Sequence, residues 1–173
     1  MDHREVYAEI EKELRAGRPV VQATVIQTRG STPRKEGSTM LVKQDGSLFG
    51  TIGGGCGEAG VITKSKLSLL DGQHREELAD LTEDISLESE AVCGGTLRVF
   101  IEPWKPEPGA IDLAAELSTL AASDKPVVVH QVVKATGGAP TIGRRIVQSV
   151  GGERVLPSAD PGVPVPMAPD KKP

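Results

Sequence analysis

Only four of the 173 residues are aromatic, Tyr7, Phe49, Phe100 and Trp104. The core therefore has to be built from Val, Ile, Leu and Ala, which favours a layered α/β or α+β packing. Cysteine is nearly absent as well. Cys56 and Cys93 are too few for a disulfide framework, and each is a thiol to be explained on its own. No apolar run approaches the roughly 18 residues that a membrane span needs. The opening MDHREVYAEIEKEL is charged and amphipathic, without a signal-peptide core, so a cytoplasmic protein with no membrane span is expected. A basic excess is missing too: the net charge is -4, with Lys and Arg scattered, which excludes nucleic acid or an anionic membrane as the main partner. His3, His74 and His130 have no zinc-like spacing to either cysteine. The sequence also lacks a Gly-Lys-Ser/Thr phosphate loop and a G-x-S-x-G elbow.

What is present suits one domain, residues 1–155, followed by a tail. Residues 156–173, LPSADPGVPVPMAPDKKP, contain little to bury and read as a Pro-rich, disordered or extended segment. Within the domain, Asp2 and Glu5 resemble a capping box, and Val6, Ile10 and Leu14 share a helical face that Gly17 ends, which predicts a helix over 3–16. Residues 19–28 read as a strand. TMLVKQ and SLFGT flank a two-residue hairpin turn at Asp45-Gly46. A helix is expected from Glu58 to about Leu70, and a strand over 96–103. Residues 76–90 hold seven acidic side chains and no basic one, the pattern of a solvated strand edge and connector.

A repeat is superimposed on this order. Residues 16–42 align with 123–147, keeping a basic-Pro-Val-Val start, the pairs Gly30/Gly137 and Pro33/Pro140, and a later glycine. Each copy follows a helix, the second marked by Ile111, Ala114, Leu117 and Ala121. The fold class expected is α/β (α+β): a mixed sheet with flanking helices, built from a duplicated helix, strand, loop, strand unit. The second copy has no counterpart of Arg34 or of the glycine cluster and reads as scaffold.

The cluster itself is GTIGGGCGEAG, residues 50–60. Gly55, Gly57 and Gly60 fit G-x-G-x-x-G, with Asp80 twenty residues on. A Rossmann first strand is a buried apolar run in a parallel sheet, however, and SLFGT is short, polar at Ser47 and hairpin-linked. A more general reading is that glycines entering a helix present backbone N–H groups to an anion, or simply allow close packing. Cys56 at the helix start would have its thiolate favoured there, as a nucleophile or a ligand to a soft metal. Glu58 is the nearest candidate acid or base, and also an ordinary first-turn glutamate. Arg34, in GSTPRKEG, offers a planar fork suited to a phosphate. Cys93, in AVCGG, is a second thiol at the mouth of a strand.

The ordered set GSTPR, a hairpin, GTIGGGC.E, VCGG and a strand ending FIEP resembles the N-terminal domain of the XdhC/CoxI family over about residues 8–103, with 104–150 as the partial repeat. The resemblance implies a molybdenum cofactor binding and insertion chaperone for a molybdenum hydroxylase, such as xanthine dehydrogenase or CO dehydrogenase, with no turnover chemistry of its own. It implies molybdopterin or its dinucleotide form as a transiently bound cargo. Arg34, Gly53, Gly54 and Gly55 would hold the anion, Cys56 would lie near molybdenum, Cys93 would be a second thiol, and Glu58 would orient the loop. A hydroxylase subunit is the implied partner, and a cysteine desulfurase and a second copy of the chain are further ones. The family's fuller pattern adds a Rossmann domain, for which residues 104–150 offer only the repeat, so nicotinamide or FAD chemistry is not carried over. The alternative reading is a small thiol- or nucleotide-dependent enzyme using Cys56 and Glu58.

Overall fold

The computed structural model describes residues 3–54, 56–81, 94–135, 142–149 and 152–156. Asp2, Gly55, Cys93, the acidic residues of 82–90, Gly137 and Pro140 of the repeat, and the tail from 157 onward lie outside them. Helix α1 (His3–Arg15) is followed by strands β1 (Val20–Arg29), β2 (Thr39–Lys43) and β3 (Leu48–Gly50). Helix α2 (Cys56–Asp71), β4 (Arg75–Asp80) and β5 (Thr96–Trp104) come next, and α3 (Pro108–Ala121), β6 (Val127–Gln131), β7 (Arg145–Ser149) and β8 (Gly152–Leu156) complete the order.

The α+β class is as expected, and the sheet arrangement is more specific than the sequence indicated. Strands pair in the order β3-β2-β1-β5-β4 and, separately, β6-β7-β8. Every ladder is antiparallel rather than mixed, and the second unit forms its own sheet. Helix α2 begins at Cys56 rather than Glu58. The β2–β3 turn also differs from the two-residue form. The Gly46 N–H donates to Lys43 O and the Lys43 N–H to Ser47 O, so the loop is Gln44-Asp45-Gly46. Only Gly46 takes a positive φ, 83°; a two-residue type I′ turn would have needed one at Asp45 as well. The Asp45 carboxylate instead accepts from the Ser47 N–H and hydroxyl.

Because strand side chains alternate, β1 feeds two cores. Val21, Ala23 and Val25 pack with Met40, Ile52, Val61, Leu97 and Val99 on the α2 side. Val20 joins Val6, Ile10, Leu14, Leu41, Trp104, Leu113, Leu117 and Val147 on the side of α1 and α3. A register shift between Val25 and Gln27 on the β5 side bulges β1 just before it enters the GSTPR loop.

The duplication is visible in the hydrogen bonds. The Val25 N–H donates to Ser38 O and the Gly37 N–H to Val25 O; in the second unit Val132 and Arg144, then Gly143 and Val132, repeat both bonds. Gly37 and Gly143 share a φ of 85° and 86°. Counting on from these glycines, Arg145 stands where the first unit has Thr39. There it is buried: it donates to both Glu102 oxygens and to Gly143 O, and its guanidinium lies 4.8 Å from the Trp104 ring centroid. The second sheet is thereby tied to β5. Among the described residues no helix is long and apolar enough to cross a membrane.

Candidate functional site

Three glycine-bearing stretches that are far apart in sequence meet at one end of the five-stranded sheet. A Cβ on Gly30 would stand 2.8 Å from Gly94 O, and one on Gly95 would stand 2.5 Å from both Arg29 O and Ser31 O. The GG of VCGG therefore lies directly on the RGS segment, backbone on backbone, and the Leu81 N–H donates to Gly95 O. At Gly53 a Cβ would come within 2.7 Å of Pro33 Cγ, so the proline ring of GSTPR rests on the loop that precedes α2. These are close approaches that only glycine allows.

The glycines inside α2 serve a different contact. A Cβ at Gly57 would strike Leu81 Cδ2, and one at Gly60 would strike the Glu77 carboxylate. They let the helix lie close on β4, where Lys64 Nζ meets Glu77 Oε2 at 2.5 Å. Gly57 and Gly60, the last two glycines of the G-x-G-x-x-G spacing, thus serve helix-on-sheet packing in an antiparallel sheet.

Glu58 organises the loop. Its Oε1 accepts from Thr51 Oγ1 at 2.6 Å and from the N–H groups of Ile52 and Gly54, both at 2.9 Å. The Gly53 N–H donates to Thr51 Oγ1 at 3.1 Å. Partial burial pushes the Glu58 carboxyl up, but the donors from Thr51, Gly54, Ile52 and Gly53 outweigh it and hold its pKa below the ordinary 4.5. Two of the amides expected to cradle an anion, those of Gly53 and Gly54, therefore have acceptors within the loop. Gly54 itself is exposed, with open space where a Cβ would be. Cys56 is the first residue of α2; Gly55 and Cys93 lie outside the described residues.

Arg34 is exposed. Its carbonyl accepts from Thr32 Oγ1 at 3.0 Å, which pins the loop. Arg34 lines an open groove with His3, Val6, Gly37, Ser38, Thr39, Gly50 and Thr51. His3, Ser38 and Thr51 were not singled out from the sequence. For Thr51 a local signal existed, a hydroxyl two residues before a glycine; for His3 and Ser38 none did, because the groove joins α1 to the β1–β2 loop. Among the described residues no group of three or more His, Cys, Asp and Glu side chains could hold a metal ion. What the site offers is an arginine fork, hydroxyls and a helix N-terminus, a donor set that fits a phosphate-bearing ligand better than a bare cation.

The sequence profile of the XdhC and CoxI family matches residues 13–81. Over 83 residues the chain is 39% identical to the uncharacterized protein YqeB of Escherichia coli (strain K12), covering 48% of this chain and 15% of that one. Over 75 residues it is 32% identical to the molybdenum cofactor insertion chaperone PaoD of the same organism, covering 43% and 24%. The chain thus spans a quarter or less of these curated relatives. The fold resembles the crystal structure of a xanthine dehydrogenase from Bacillus halodurans with a TM-score of 0.63 and 25% identity, over 85% of this chain and 42% of that one. The stretch that matches the XdhC and CoxI family, residues 13–81, carries two of the three converging loops, those of Gly30–Arg34 and of Gly53.

Proposed function

We propose that this protein is a cytoplasmic molybdenum cofactor binding and insertion chaperone for a molybdenum hydroxylase such as xanthine dehydrogenase or CO dehydrogenase, without turnover chemistry of its own. The observation that carries the reading is the convergence of Pro33 on Gly53 and of Gly30 on Gly94 and Gly95. It gathers Arg34, the start of α2 with Cys56, and the residues that follow Cys93 at one end of one sheet. A chaperone for this cargo needs a hold on its phosphate and a soft donor near molybdenum, and an arginine fork with a thiolate at a helix N-terminus meets both needs. Gly53, Gly54 and Gly55 shape the loop in this reading, and Cys93 is the second thiol. The cargo is molybdopterin or its dinucleotide form, held transiently. A cysteine desulfurase and a second copy of the chain are further partners it accommodates.

The competing enzyme reading requires Glu58 to act as acid or base beside Cys56. Its Oε1 is occupied by three loop donors, and its lowered pKa makes it a poor proton acceptor at neutral pH. Transfer separates the two readings. Protein loaded with molybdenum cofactor and mixed with a cofactor-free molybdenum hydroxylase should restore activity in proportion to the protein added, and Cys56→Ala should not. Multiple turnover of a nucleotide or other substrate that depends on Cys56 and Glu58, with no transfer, would favour the enzyme.

A further inference from the structure

Arg34 is a cation without an ionic partner among the described residues. Two carboxylates near its loop are engaged by other donors: Glu36 accepts from the Thr28 N–H and hydroxyl, and Glu58 from Thr51, Ile52 and Gly54. The Arg34 backbone is pinned on both sides, by Pro33 seated on Gly53 and by the Thr32 hydroxyl on its carbonyl. A guanidinium carried on a pinned backbone costs less to order around a ligand than one on a free loop.

The other walls of the groove add donors. His3, on the first turn of α1, reaches over Gly37, with Nε2 3.9 Å from where a Cβ on that glycine would stand. Ser38 precedes β2 and Thr39 opens it, while Gly50 ends β3 and Thr51 follows it. A second basic groove, at Arg29 and Arg98, is lined also by Gln27, Leu78 and Thr96, and there Arg98 faces Glu76 at 3.8 Å.

We infer that the groove between His3, Arg34, Ser38 and Thr51 is a phosphate site, which takes the terminal phosphate of a phosphomonoester or one phosphate of a pyrophosphate. The Arg34 fork spans two oxygens of the anion, the His3 ring and the Ser38 hydroxyl donate to the others, and the amides of Gly53 and Gly54 stay with their loop acceptors. The phosphate is thus held beside the glycine loop by side chains from α1 and the β1–β2 loop. As an account of how molybdenum cofactor is gripped, this rests on the function proposed above; as a phosphate site it is tested by itself.

The test is a titration of the full ¹⁵N-labelled chain with inorganic phosphate and then pyrophosphate. The amides of Gly37, Ser38, Thr39, Gly50 and Thr51 should shift, and those of Gly53 and Gly54 should not. Arg34→Ala should weaken binding by about tenfold, as expected for loss of a charge-assisted fork, with Arg34→Lys in between and His3→Ala a few-fold weaker. Both side chains replaced are exposed, and an unchanged amide spectrum elsewhere shows that the variants fold. Equal affinity in Arg34→Ala, shifts confined to Gly53 and Gly54, or no shift at millimolar phosphate would each overturn the inference. Molybdenum cofactor retained equally by wild type, Arg34→Ala and His3→Ala would reject the groove and leave the chaperone standing. Phosphate bound as described by a chain that retains no cofactor would reject the chaperone and leave the groove.

Discussion

The Glu58 carboxylate takes the Gly54 N–H at 2.9 Å and, through the same oxygen, the Ile52 N–H and the Thr51 hydroxyl. One side chain in the first turn of α2 therefore folds the loop that precedes it. Glu58→Ala leaves those donors without an acceptor and should cost about 1–3 kcal/mol, read as a lower urea midpoint. Glu58→Gln keeps a carbonyl oxygen and should lose less. The folded pKa of Glu58 lies below 4.5, so its contribution is complete above that value and is lost as pH falls through the folded pKa. The gap between wild type and Glu58→Gln should therefore close in acid.

Gly95 and Gly54 make a contrasting pair. At Gly95 a Cβ meets two backbone carbonyl oxygens at 2.5 Å, which cannot yield as a side-chain tip can. Gly95→Ala should destabilise by about 1–3 kcal/mol and separate the GSTPR and VCGG segments. At Gly54 the space is open and only the φ of 76° resists, so Gly54→Ala should cost about 1–2 kcal/mol and leave the Gly30–Gly95 contact in place. Thermal unfolding of both variants, with amide shifts at Gly30 and Gly95, checks the distinction. Equal loss of that contact in both would count against it.

The buried pair of Arg145 and Glu102 makes a third prediction. Arg145→Ala takes the balancing charge from the buried Glu102 carboxylate, leaving it the Gln131 amide as donor, and removes the stack on Trp104, so a loss of about 3–5 kcal/mol is expected. Replacing both partners, Arg145→Met with Glu102→Leu, should recover most of it, since an apolar pair needs no desolvation of charge. If the double variant is no more stable than the single one, the loss comes from packing and not from the stranded charge.

Much of this arrangement was readable in the sequence and some of it was not. Periodicity placed α1 and β5 to within a residue, and the basic-Pro-Val-Val repeat pointed to a duplicated unit whose hydrogen bonds at Val25/Gly37 and Val132/Gly143 now repeat. These are local signals, and local physics decides them. That β5 would lie between β1 and β4, making every ladder antiparallel, depends on long-range pairing that no window contains. Arg145 looked like an ordinary strand residue, because its burial follows from Glu102 and Trp104, more than 40 positions earlier. The glycines of the cluster were legible as glycines, but their tasks were not: Gly53 meets Pro33, Gly57 meets Leu81, and Gly60 meets Glu77.

A fourth prediction concerns α1. Lys43 on β2 binds Glu9 at 2.5 Å and Glu13 at 3.3 Å, and Arg18 closes on Glu13 at 2.6 Å. Arg18 is the main cause holding Glu13 below 4.5. Burial raises Glu9, but Lys43 and Lys12 more than reverse it, and Lys43, held chiefly by Glu9, is raised above 10.5. The two glutamates therefore contribute fully above 4.5 and lose that contribution as pH falls through their folded pKa values. Lys43 contributes fully below 10.5 and loses that contribution as pH rises through its own. Lys43→Met should flatten the acid limb of a urea-midpoint profile, with a smaller effect at high salt. An unchanged acid limb would show that the cluster does not hold the helix.

The central claim is that the converging loops hold molybdenum cofactor. The measurement closest to it is the molybdenum-to-protein ratio after the purified chain is incubated with the cofactor and passed through gel filtration. A ratio near one for wild type, falling well below that in Arg34→Ala and in Cys56→Ala while both variants stay folded, is the predicted result. Well-folded wild-type protein that emerges without molybdenum would contradict it.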